Sequence, residues 1–144
     1  MQKVIVSHQT LRPDLGIQIG QQLFTCPGDA ISEVVRITGW TPAPASPSYT
    51  LGMIEQNGQI YTVIDIQKIE DSEYSEGPAA SATIVDKNYI GLIISHADYH
   101  PIVLIGERAI SFTYGQNHEW AQVELPAALK KSEGAPDLVY QSAV

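Results

Sequence analysis

The sequence is poor in cysteine and lacks long apolar runs. Its single cysteine, Cys26, cannot form an intrachain disulfide, which fits the reducing cytoplasm better than a secreted, cross-linked scaffold. The longest apolar runs, such as residues 90–94, fall far short of the roughly 20 residues that a membrane helix needs. The first residues do not resemble a signal peptide. We therefore expect a cytoplasmic protein without direct membrane insertion.

Basic residues are also scarce. The chain has 8 lysines and arginines against 16 acidic residues, so its formal net charge is −8. Phosphate backbones and anionic lipid surfaces are repelled on average by such a chain. Aromatic residues make up only 8% of the sequence, and no basic residues interleave with them as in a base-stacking surface. We expect no nucleic-acid partner.

Signatures of catalysis and of cofactor binding are missing as well. The sequence contains no phosphate-binding loop, dinucleotide fingerprint, serine elbow or paired-cysteine motif. Cys26 ends an apolar stretch beside Pro27, where a cysteine is usually a small buried hydrophobe and not a nucleophile. We therefore predict a protein that is not an enzyme and has no catalytic residues, no cofactor and no metal.

One segment supports an enzymatic alternative. In an extended strand, His96, Asp98 and His100 fall on one face and present two imidazoles and a carboxylate, a set of ligands suited to a metal ion. Alternate residues of a strand lie about 6 to 7 Å apart, however, so all three reach one ion only if the strand bends. The preferred interpretation is a polar strand end before Pro101. The alternative is a small metal-dependent β-barrel enzyme.

The most informative stretch present is the hairpin centred on Asn57 and Gly58. This dipeptide tolerates positive φ at both central positions of a type I′ turn and predicts a two-residue β-hairpin. The turn sets the register, which pairs Gln56 with Gln59, Glu55 with Ile60, Ile54 with Tyr61, Met53 with Thr62, and Gly52 with Val63. Both faces of this hairpin carry apolar side chains, which favours a strand pair curled into a small barrel.

Other segments predict further short strands joined by tight turns. We expect two strands within 17–26, a short helix or turn at 30–33, a stiff connector with three prolines at 40–48, and an edge strand at 4–6. We also expect hairpins formed by 82–85 with 89–95 and by 102–105 with 109–114, one or two helical turns within 125–131, and a last strand at 138–140. This pattern is typical of an all-β chain with few short helices.

The acidic run at 70–78 is the best candidate for a boundary inside the domain. It contains four carboxylates and no basic residue, and such runs usually stay solvated. We predict a first lobe over about 15–70, this linker, and a second lobe over about 79–144, the whole chain 1–144 forming one domain.

Three stretches read together resemble the CheW-like adaptor domain of bacterial chemosensory systems. Residues 17–35 are similar to the opening strand pair of that family and the step that follows it. Residues 40–66 resemble the proline-spaced connector, the Leu-Gly hairpin and the closing Val-Ile-Asp strand, and this block is the specific part. Residues 89–93 resemble the glycine-containing strand that opens the second lobe.

The resemblance implies two SH3-like five-stranded β-barrel lobes and a non-enzymatic adaptor role in a chemotaxis or motility signalling pathway. Such scaffold proteins link the cytoplasmic tip of a chemoreceptor to the regulatory domain of a histidine kinase through protein–protein contacts. Position by position, the resemblance implies that the partner-binding region includes Ile31, Glu33, Gly52, Asn57, Gly58 and Gly91.

The sequence departs from the family pattern in two places. Asn57 stands where the family has an arginine, so an ion pair to Glu33 is lost. Exposed pairs contribute only about 0 to 1 kcal/mol, so we expect the fold to persist while partner choice changes. The usual final strand of the second lobe is missing from 120–144, which implies a truncated or rebuilt second barrel. These departures favour, as a further alternative, a diverged adaptor that no longer binds the kinase.

Overall fold

The computed structural model describes residues 14–43, 46–69, 84–112 and 120–142. These residues are all-β, as predicted, and their only helical segments are three short 3-10 helices at Gly28–Ala30, Ile66–Lys68 and Ala127–Leu129. The strands are β1 (Asp14–Ile19), β2 (Gln22–Cys26), β3 (Ile31–Gly39), β4 (Thr50–Gln56), β5 (Gln59–Ile64), β6 (Ile84–Ile94), β7 (Ile102–Gly106), β8 (Arg108–Phe112), β9 (Trp120–Gln122) and β10 (Tyr140–Ser142).

Five of the strands form a sheet that closes on itself. Their order is β3-β6-β7-β5-β4, antiparallel except for the parallel pair of β5 and β7. The chain just after β3 returns to β4: Thr41 N–H donates to Met53 O at 2.9 Å, and Met53 N–H donates to Thr41 O at 2.8 Å. This contact joins the two edges, so we call these five strands the barrel. The remaining strands form a second sheet in the order β8-β1-β2-β10-β9.

The hairpin at Asn57 and Gly58 and the strand pair predicted within 17–26 are confirmed. Asn57 and Gly58 have φ angles of 54° and 80°, and every predicted pair between β4 and β5 is observed. β1 and β2 pair through a turn at Gly20, whose φ is 59°. In both cases the turn needs left-handed backbone, which asparagine and glycine adopt at little cost. Local chemistry therefore decides these two reversals.

The other two predicted hairpins are wrong. Residues 84–94 form the single strand β6. Ile37 pairs with Tyr89 and Gly39 with Ile84, so three residues of β3 face six residues of β6. The polar residues 86–88 therefore belong to a bulge and not to a reversal. β7 and β8 follow each other closely but do not pair, because β7 already lies between β5 and β6 while β8 pairs with β1.

The sheets combine strands in a different way from the predicted lobes of about 15–70 and about 79–144. β1 and β2 pair with β8 and β10, and β6 and β7 complete the barrel of β3, β4 and β5. Residues after 107 supply three of the five strands of the second sheet, namely β8, β9 and β10. The last of them, β10, covers Tyr140–Ser142. The predicted strand at 4–6 and the acidic linker at 70–78 lie outside the described residues.

Two apolar clusters share the central strands β6 and β7. Ile93 and Val103 point into the barrel, whereas Leu92 and Leu104 join the core between the barrel and the second sheet. All four are at most 1% exposed, and burial of each such side chain stabilises the fold by about 1.5 to 3 kcal/mol. Burial on both faces explains why these strands read as continuous apolar runs. Cys26 also belongs to the shared core, and burial raises the pKa of its thiol to about 12.

Candidate partner-binding groove

The structure separates the predicted site residues into two groups. The first consists of Gly52 and Gly91, which lie where the chain packs too closely for a side chain. A Cβ at Gly52 would lie 2.3 Å from Thr41 O and 2.5 Å from Trp40 Cδ1, where the chain closes the barrel. A Cβ at Gly91 would lie 2.5 Å from Ile37 Cδ1 and 2.6 Å from the Val103 side chain, inside the barrel. Both positions need a residue without a side chain because neighbouring atoms occupy that space.

The second group lies at one end of the barrel. Ile31, the first residue of β3, is 2% exposed and pairs with Ile94 of β6. Asn57 and Gly58 form the exposed tip of the β4–β5 hairpin. Glu33 is exposed on β3, and within the described ranges it makes no ion pair. In the described part of the chain, therefore, no other ion pair at Glu33 takes the place of the one that the family pattern has there.

A groove of about 290 Å³ connects these elements, and we call it the hairpin groove. Its walls are the first residues of β5, the segment 94–101 between β6 and β7, and Lys131. The hairpin turn lies directly before Gln59 on one wall, and Ile31 lies beside the other wall, where Ser95 N–H donates to Ala30 O at 2.8 Å. Ile31 and the 57–58 turn therefore lie beside this groove, but none of the six predicted site residues lines it.

The segment with the two histidines forms a turn in place of an extended strand. Tyr99 N–H donates to His96 O at 3.0 Å, and Asp98 N–H donates to the Nδ1 atom of His96 at 3.1 Å. The premise of the metal alternative, three ligands on one face of a strand, is therefore not met by His96, Asp98 and His100. Across the described ranges, no group of three or more His, Cys, Asp or Glu side chains is arranged to hold a metal ion.

Two residues of the groove were missed by the analysis of the sequence. Tyr99 is 3% exposed at the floor, its hydroxyl donates to Pro136 O, and burial and the nearby Asp137 carboxylate raise its pKa. Lys131 reaches the rim because residues 129–131 pair with 98–100. This contact joins segments about thirty residues apart, and no turn or spacing signal in the sequence indicates it.

An ion pair fixes the segment that carries Lys131. Lys130 Nζ lies 2.6 Å from the Asp137 carboxylate, and both side chains are largely buried, at 14% and 15% exposed. Leu125 N–H also donates to this carboxylate at 3.1 Å. Burial alone would raise the pKa of Asp137, but the hydrogen bonds from Lys130 and Leu125 outweigh it and lower that pKa below its usual value.

The outer surface of the barrel carries exposed apolar side chains. Ile60 is 59% exposed on β5, Val34 is 42% exposed on β3, and Met53 is 36% exposed on β4. Because the interior of the barrel is filled by the other face of each strand, these residues are available for contact with other molecules. No helix in the described part of the chain is long and apolar enough to span a membrane.

Comparisons with known proteins agree with this architecture. A family model described as "CheW-like domain" matches residues 15–106, which contain β2 to β7, and therefore the whole barrel, and all of β1 except its first residue. Among solved structures, the chain is similar to the scaffolding protein TtCheW from Thermoanaerobacter tengcongensis, with a TM-score of 0.53 and 20% sequence identity. That match covers 69% of this chain and 62% of the other, so it spans less than two thirds of the scaffolding protein. No curated protein matches.

Proposed function

The chain belongs to the CheW-like domain family, and from that membership we propose that it is a non-enzymatic adaptor in a chemosensory or motility pathway. In this role it couples the cytoplasmic tip of a chemoreceptor to the regulatory domain of a histidine kinase. The observation that carries the proposal is the family match over residues 15–106, which includes every strand of the barrel and two of the three walls of the hairpin groove.

The geometry supports binding through preformed surfaces. The barrel is closed by the Thr41–Met53 hydrogen bonds, and its interior is filled, so the surfaces at its ends and on its outside are held in place. We assign the receptor tip to the hairpin groove, next to Ile31, Asn57 and Gly58. We assign the kinase domain to the exposed barrel strands, where Ile60 offers an apolar contact.

The experiment that tests the proposal is a calorimetric titration of the purified chain with each partner. A fragment of the receptor signalling tip and an isolated kinase regulatory domain are titrated separately and then together. We expect saturable binding of each partner and a three-component complex when both are present. Binding of neither partner would remove the adaptor proposal.

A second candidate is an adaptor that has kept the receptor and lost the kinase. Two observations favour it: Glu33 makes no ion pair within the described ranges, and β8 to β10 lie beyond the residues that the family model matches. Partner choice is sensitive to such changes in surface charge and shape. The titration separates the candidates, because this one predicts receptor binding without kinase binding and is excluded by a complete three-component complex.

A further inference from the structure

The hairpin groove has an unusual charge for this protein. The chain carries a net charge of −8, yet the described residues that line the groove include Lys131 and His96 and no carboxylate. Gln59, Ser95 and Tyr61 add polar groups to the walls, and Ile94 supplies an apolar surface beside them. The lining therefore offers hydrogen-bond donors and one fixed positive charge above a partly apolar floor.

Lys131 is held on the rim by backbone contacts at and just before its own position. Its own N–H donates to Asp98 O at 2.8 Å, and His100 N–H donates to Leu129 O at 3.1 Å. The preceding residue, Lys130, is anchored by its ion pair with Asp137. Because the backbone at Lys131 is fixed, less conformational entropy is lost when its ammonium group binds an anion.

His96 is also oriented before any ligand arrives. Its Nδ1 atom accepts the hydrogen bond from Asp98 N–H, so the neutral ring carries its proton on Nε2 and can donate from that atom. The ring packs edge-on against Tyr99, with centroids 5.9 Å apart and an interplanar angle of 87°. The Asp98 carboxylate lies 3.9 Å from Nδ1.

We propose that the hairpin groove binds the carboxylate of an aspartate or glutamate side chain on the receptor tip, with Lys131 Nζ and His96 Nε2 as its donors. This inference rests on the adaptor function proposed above and names the chemistry by which the groove selects its partner. The volume of about 290 Å³ is large enough to admit one such side chain.

The composition of the groove favours a carboxylate over a phosphate group. Its described lining contains no arginine, so these residues do not supply the bidentate fork that commonly recognises phosphate. One ammonium and one imidazole donor match the two oxygens of a carboxylate.

The test compares Lys131→Gln with the wild-type chain in titrations with the receptor-tip fragment. Lys68→Gln is the matched control, because it removes the same charge from an exposed residue outside the groove. We expect Lys131→Gln to weaken binding about threefold to tenfold, as for a partly exposed charged hydrogen bond, and Lys68→Gln to leave it within about twofold. Circular dichroism verifies that both variants are folded.

A double-mutant cycle then identifies the bound carboxylate. Each acidic residue of the fragment is replaced in turn by its amide and titrated against the wild-type chain and Lys131→Gln. We expect one replacement to weaken binding to the wild-type chain by a similar factor and to have little further effect in the Lys131→Gln background. Equal affinity of Lys131→Gln and the wild-type chain, or no coupled acid, overturns the carboxylate assignment and leaves the adaptor function standing.

Failure of the adaptor function gives a different result, namely no binding of the fragment to the wild-type chain. The groove is then tested alone by following backbone amide signals during additions of N-acetylglutamate and of inorganic phosphate. Shifts at Ser95 and Lys131 caused by N-acetylglutamate in the wild-type chain and abolished by Lys131→Gln support the assignment. No shifts, or a response to phosphate at lower concentration, overturn it.

Discussion

Replacing Gly52 with alanine should open the barrel at its closure point. The added Cβ would lie 2.3 Å from Thr41 O and 2.5 Å from Trp40 Cδ1, both far inside normal contact distance. Thr41 O cannot move away freely, because it accepts a hydrogen bond from Met53 N–H, and Thr41 N–H donates to Met53 O. Relief of the clash therefore requires the loss or distortion of the contact that joins the barrel's edges.

The expected cost follows from two contributions. Overpacking of a filled interior typically costs about 1 to 3 kcal/mol, and each of the two backbone hydrogen bonds contributes about 0.5 to 1.5 kcal/mol. Because a shift that relieves the clash also weakens the bonds, the contributions overlap, and we expect Gly52→Ala to lower the free energy of unfolding by about 2 to 4 kcal/mol. A loss of that size lowers Tm by about 5 to 15 °C.

Urea unfolding followed by tryptophan fluorescence measures this loss, since Trp40 lies at the site of the clash. Gly58→Ala is the control: its added Cβ meets no atom within 4 Å, so only the φ of 80° opposes it, at about 1 to 2 kcal/mol. Equal destabilisation by the two substitutions would refute the view that Gly52 is required for barrel closure. The same measurement matters for partner-binding studies, because a variant of Gly52 can lose a partner by losing the barrel.

Three further predictions test other parts of the account. Gly91→Ala should cost about 1 to 3 kcal/mol of unfolding free energy because its Cβ would lie 2.5 Å from Ile37 Cδ1, and adding Ile37→Val should recover part of that loss in urea unfolding. Asp137→Asn should lower the free energy of unfolding by about 2 kcal/mol at pH 7. Because the folded-state pKa of Asp137 is lowered, this difference in stability from the wild-type chain should shrink as the pH falls below about 4. Thermal melts recorded across pH measure it, and a difference that is independent of pH would contradict the prediction. Ile60→Lys changes a side chain that is 59% exposed, so it should alter the free energy of unfolding by less than about 0.5 kcal/mol while weakening kinase-domain binding in titrations. The control Gln21→Lys, in the exposed turn after β1, should weaken neither stability nor kinase-domain binding. Unchanged kinase-domain binding by Ile60→Lys would exclude the barrel face that carries Ile60.

The elements set by local chemistry could be predicted from the sequence, and those set by competition between strands could not. Asn57 and Gly58 dictate both a turn type and a register, and all five predicted pairs of that hairpin are present. Residues 86–88 have the same kind of turn-forming composition, yet pairing of β6 with β3 on both sides of them converts the expected turn into a bulge. Which strand takes the place beside β7 depends on contacts across the whole chain, and no window of sequence contains that information.

The candidate site shows the same limit. The family resemblance led to Ile31 and the 57–58 turn, which lie beside the groove without lining it, and to Gly52 and Gly91, which the fold uses for packing. Lys131 could not be found in this way, because it reaches the groove only through the pairing of two distant loops. Whether Ile31, Glu33 and the 57–58 turn contact a partner stays a prediction.

The most direct test of the central claim is to map the receptor-tip fragment onto the chain by amide chemical shifts. If the chain is an adaptor that uses the hairpin groove, the largest shifts on adding the fragment should fall at residues 57–59, 95–99 and 131. Saturable binding with its largest shifts on the second sheet, or no binding of the fragment, would contradict the account.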